Sequence, residues 1–174
     1  MVRQLAACCA AALALAAFLV SAVVTAPAAV PTGATVDGVR CDPAEGVVLH
    51  IHAHLTILDH GKPVGVPEDV GRPLAGQCFY WLHTHTPDGI VHIESPSARE
   101  FTLGQFFDIW GQPLTAHDVA GAKTRPGETV KVYVDGRPYT GNPRAIEFAQ
   151  HLDVAFVVGP PYAKPAPFTV WGNL

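Results

Sequence analysis

Six of the nine histidines in this 174-residue chain fall in two short runs. The first, residues 49–58, reads L-H-I-H-A-H-L-T-I-L and carries His50, His52 and His54 at alternate positions. The second, residues 81–94, reads W-L-H-T-H-T-P-D-G-I-V-H-I-E and carries His83, His85 and His92, followed by Glu94. Neutral imidazole is the commonest metal ligand. On a strand, side chains alternate between the two faces, so each H-x-H puts two rings side by side on one face. A second H-x-H on a neighbouring strand would complete a site of three or four nitrogens.

An all-imidazole donor set suits zinc, copper, nickel or iron and disfavours magnesium and calcium. Outside the cytoplasm, copper or zinc is the expected cofactor. The single methionine, Met1, excludes a Met-rich Cu(I) carrier. Glu94 is expected to act either as a partner to an imidazole N–H or as a general base toward metal-bound water. His151, which shares a face with Asp153, is a candidate remote ligand. His60 reads as an exposed turn residue, His117 as a solvated or hydrogen-bonded residue, and Asp88 is explained by the turn it sits in. The bland alternative for the whole set is a solvated strand face, or hydrogen-bonded core histidines, with no metal.

The elements that position these residues are legible from periodicity. In residues 47–58, Leu49, Ile51, Ala53, Leu55 and Ile57 alternate with the histidines, so one face is apolar and the other carries three imidazoles in a row. The second run is a hairpin with a Thr-Pro-Asp-Gly turn. Its register decides where His92 points. A loop over residues 86–89 pairs His83 with His92 and puts all three rings on one face. A three-residue loop with a glycine bulge turns His92 and Glu94 away. Turn chemistry favours the second.

Thr102 to Gly111 reads as the one clear helix (103–110). Thr102 and Gln105 form a capping box, Phe101 and Phe106 sit at the staple positions, and Gly111 is placed to end it. Its aromatic residues mark it as a packed core element. Residues 130–134 and 137–140 around Asp135-Gly136 read as a hairpin, and 145–148 and 152–158 as two further strands. The expected fold class is mainly β (α+β): an antiparallel sheet or sandwich with one short packed helix.

Domain organisation follows composition. Residues 1–28 carry Arg3 and then a charge-free run rich in Ala, Leu and Val, the pattern of a signal peptide or, if uncleaved, an N-terminal membrane anchor. Residues 29–46 form an Ala/Pro/Thr/Gly spacer, 47–158 the histidine-rich β domain, and 159–174 a proline-rich tail expected to run extended over the surface. The chain is therefore expected to be exported, touching a membrane only through its N-terminal segment. Of its four cysteines, Cys8 and Cys9 belong to that segment. Cys41 and Cys78 remain and read as a disulfide; the competing reading makes Cys78 a thiolate ligand. The net charge is −4, and neither a basic cluster nor aromatic–basic interleaving appears, which excludes nucleic acid as an expected partner.

With Leu82-His83-Thr84-His85, the segment from Gly89 to Pro96 and Phe101-Thr102-Leu103-Gly104-Gln105-Phe106-Phe107 in view, the chain resembles a group of exported bacterial proteins. The likeness covers most of the mature region, including His50-Ile51-His52-Ala53-His54, Val134-Asp135-Gly136 and His151. It implies that the histidines act as one unit and implies no particular reaction. The expected function is transition-metal binding through His50, His52, His54, His83, His85 and His92. The alternatives are a metal-dependent hydrolytic or oxidative enzyme and a metal-free structural or binding domain.

Overall fold

The computed structural model describes residues 33–73 and 78–174. The signal or anchor assigned to residues 1–28 lies outside them. Among the described residues, no helix is long and apolar enough to cross a membrane.

In chain order the elements are β1 (Cys41–Asp42), β2 (Leu49–Asp59), β3 (Lys62–Val64), β4 (Phe79–Tyr80), β5 (Leu82–His83) and β6 (Ile90–Ser95). Then come α1 (Leu103–Trp110), β7 (Asp118–Val119), β8 (Ala122–Lys123), β9 (Val130–Val134), β10 (Arg137–Tyr139) and β11 (Leu152–Val158). The main sheet runs β10-β9-β11-β2-β6-β5, with β3 added to the end of β2. Its pairs are antiparallel except one: β11 lies parallel to β2, with Asp153 beside His54. The fold is mainly β as expected, with a mixed seven-stranded main sheet, a helix against it, and two two-stranded ribbons, β1–β4 and β7–β8. A long crossover through α1 and the β9–β10 hairpin brings β11 to β2, and parallel pairing needs such a crossover.

The two faces of β2 explain its sequence. Ala53, Leu55 and Ile57 point with Val91 and Ile93 of β6 and Val154, Phe156 and Val158 of β11 into the core. The helix closes that side. Phe106 and Phe107 are fully buried, and the Phe107 ring lies 6.3 Å from that of Phe156. The capping box is present: Gln105 N–H donates to Thr102 Oγ1, and Thr102 N–H donates to Gln105 Oε1 at 2.9 Å. Gly111 ends the helix at φ 71°, and Gln112 N–H reaches back to the Phe107 carbonyl at 3.1 Å. A β-carbon in that left-handed conformation is strained, so Gly111→Ala should cost roughly 1 kcal/mol. A urea denaturation midpoint unchanged from wild type would rule this out.

Two expectations need correction. Residues 145–148 are not a strand: a 3₁₀ turn, Pro143–Ala145, is followed by a single bridge from Glu147 to Thr102. Pro143 and the Asn142 side chain, which accepts from Arg144 N–H, favour the turn over extension. His60 does occupy the β2–β3 turn (φ 49°), but it is half-buried rather than exposed. Its Nδ1 and Nε2 donate to Asp59 at 2.6 Å and Glu128 at 2.8 Å.

Those carboxylates, Asp59 first and then Glu128, raise the His60 pKa above its ordinary value. Because the folded value lies above the unfolded one, the stabilisation is complete below about pH 6.5 and is lost as pH rises through the folded value. Melting temperatures of wild type and His60→Gln should therefore differ more at pH 6 than at pH 9. An equal gap at both pH values would contradict this assignment.

Candidate metal centre

The other face of β2 carries the histidines, and strand register brings them together. His52 pairs with His92 across β2–β6, and His92 pairs with His83 across β6–β5, so three imidazoles form one row across three strands. This is the register that turn chemistry disfavoured. The reason is non-local: six ladder pairs between β6 and β2 extend from Leu49–Ser95 to His54–Ile90 and hold β6 in place. The turn adapts, with Asp88 Oδ1 accepting from Ile90 N–H at 3.0 Å. A core that must stay on one side outweighs the local preference of one turn.

Beyond the row, His50 pairs with Glu94. His85 follows β5 and is held by Thr84, whose backbone pairs with Val70 and Asp69 and whose hydroxyl donates to the Pro67 carbonyl. Two sets of ligand atoms result, each within 4.8 Å: His50, His52, His92 and Glu94, and His83, His85, His92 and Glu94.

The separations inside these sets are informative. His50 Nε2 lies 3.2 Å from His52 Nε2, and His83 Nε2 lies 3.1 Å from His85 Nε2. Glu94 Oε1 is 3.3 Å from both His50 Nε2 and His92 Nδ1. Two ligands about 2.0–2.1 Å from a tetrahedral ion stand about 3.3 Å apart, so the donors already sit at ligand-to-ligand spacing.

Tautomers and charge agree with that use. His83 is fully buried, and its Nδ1–H donates to the Tyr80 carbonyl at 2.9 Å, which turns the Nε2 lone pair toward His85 and the cluster. Burial, with repulsion from His92 and His50, lowers the His52 pKa to about 4. Burial also lowers His83 and His85. These rings are neutral at pH 7, as ligation requires. Burial pulls Glu94 upward, but the His92 hydrogen bond and the surrounding imidazoles more than reverse this and hold it below the ordinary carboxylate range. His52 Nδ1, on the other side of the ring, is buried with no hydrogen-bond partner.

No family model, curated protein or solved structure matches this chain. The case for a metal centre therefore rests on its own geometry.

Two of the histidines read as ligands in the sequence stand apart. His54 donates through Nδ1 to Asp153 at 3.0 Å, and Phe168 stacks on its ring at 3.8 Å. His151 donates through Nε2 to the Leu174 carbonyl at 3.0 Å and stacks against Trp171. Both are claimed by the C-terminal tail, which crosses this face of the sheet beside the cluster. His117 is exposed and bonded to Thr124.

One acid at the cluster was not foreseen. Glu45 Oε1 lies 3.7 Å from His83 Nε2 and 3.6 Å from His85 Nε2. Burial and the nearby Glu94 raise its pKa. Two restraints put it there. Cys41 and Cys78 form a disulfide, and β1 pairs with β4, Cys41 opposite Tyr80. Next to Glu45, Gly46 packs so closely on the Ser95–Pro96 backbone that a β-carbon would overlap it. Cys78, being bridged to Cys41, is not a thiolate ligand. The only hint in the sequence was position, four residues after Cys41.

Proposed function

We propose that this is an exported protein that binds copper or zinc through His50, His52, His83, His85 and His92, with Glu94 among the ligands. The observation that carries this reading is the convergence of imidazole nitrogens, with the His50–His52 and His83–His85 pairs at the spacing of tetrahedral ligands. The disulfide supports an extracytoplasmic setting, where such bridges persist. Metal binding is favoured over hydrolysis because the Glu94 carboxylate is engaged by His92 and His50 and is not free to act as a base.

Elemental analysis of protein purified from the extracytoplasmic fraction tests the proposal, alongside His52→Ala and His83→Ala. Wild type should retain copper or zinc, and each variant should retain clearly less. Metal content unchanged in both variants would overturn the site.

A further inference from the structure

We infer that the cluster is a two-ion centre, in which His50 and His52 serve one ion, His83, His85 and Glu45 serve the other, and His92 and Glu94 lie between them. The inference rests on the metal-binding reading above and extends it to stoichiometry and to a ligand from outside the two histidine runs.

Three observations lead to it. The first is an excess of donors. Five imidazoles and two carboxylates converge here, whereas a closed tetrahedral ion takes four ligands. The second is their division. The donors do not gather on one point; they form two sets of four that overlap at His92 and Glu94. Topology explains the split, because β2 and β5 flank β6 on opposite sides, neighbouring strands lying about 4.8 Å apart. The residues on β6 are therefore common to both sets, while His50 and His52 approach from one side and His83 and His85 from the other. The third is the placement of charge. Two divalent cations this close repel each other, and the middle strand places the buried side chain of Glu94 among the imidazoles. Glu94 has two oxygens and so can face an ion on each side. Glu45 adds a second negative charge on the His83–His85 side, where the protein places it with a disulfide and a glycine contact.

Isothermal titration of the metal-free full chain with Zn(II) reads the stoichiometry directly, and two ions per chain are expected. His50→Ala and His85→Ala remove side chains that are 53 % and 32 % exposed, so both variants should fold, which circular dichroism checks. Each should bind one ion. Loading with Cu(II) tests adjacency: ions that share Glu94 should couple magnetically, with a weakened main electron-paramagnetic-resonance signal and a half-field transition.

One ion per wild-type chain would overturn the two-ion centre and leave the metal-binding reading standing. No ion bound would overturn both. Two ions retained in either variant, or two uncoupled Cu(II) signals, would also refute the shared centre.

Discussion

Replacing His92 with alanine should weaken zinc binding at least about 100-fold, since loss of a mere supporting partner of a ligand already costs about 10–100-fold. His92 belongs to both ligand sets and pairs with His52 on one side and His83 on the other. No other histidine has that position. His54→Ala is the matched control, because His54 lies on the same strand face but is committed to Asp153 and Phe168. That variant should keep wild-type zinc affinity within about twofold yet lose about 1–3 kcal/mol of stability, since it leaves the buried Asp153 carboxylate short of a partner. Competition against a chelator of known affinity measures the first effect and urea denaturation the second. A folded His92→Ala protein within threefold of wild-type affinity would be incompatible with the centre described.

Removal of the Cys41–Cys78 bridge should destabilise the protein by about 4 kcal/mol, the loop-closure value for the 37-residue separation. The bridge joins β1 to the start of the histidine hairpin and so also restrains the segment that delivers Glu45. The double variant Cys41→Ser, Cys78→Ser should therefore show a lower denaturation midpoint and weaker binding on the His83–His85 side. Equilibrium unfolding in urea, with and without reductant for wild type, measures the stability term. A loss under about 1 kcal/mol would mean that the strand pairing and the Gly46 contact hold this segment without help.

The helix, β2, the β9–β10 hairpin and β11 were legible because each is encoded by nearest neighbours. Thr102 and Gln105 are three residues apart and cap one turn of helix; Asp135-Gly136 makes one turn; the apolar residues of β2 alternate without a break. Residues 145–148 misled because an apolar pattern over four residues is too short to separate a strand from a turn with buried side chains. The parallel pairing of β11 with β2 was illegible for another reason: no local signal states which of two apolar strands will be neighbours, or in which direction.

The candidate site divides in the same way. That His50, His52 and His54 share one strand face, that His83 and His85 stand together and that the opposite face is core all follow from spacing along the chain, because side-chain alternation is a property of the backbone. The remaining features come from long-range contacts. The register of β6 against β2 turned His92 and Glu94 toward the cluster, a ladder of six pairs overriding the local preference for a three-residue loop. The parallel neighbour β11 supplied Asp153, which drew His54 out of the set, and the returning tail took His151. Glu45 reached the site from a stretch with no pattern of its own, held there by a disulfide and by a glycine against a backbone. Each outcome depends on contacts between residues far apart in the chain, where spacing along the sequence carries no distance information.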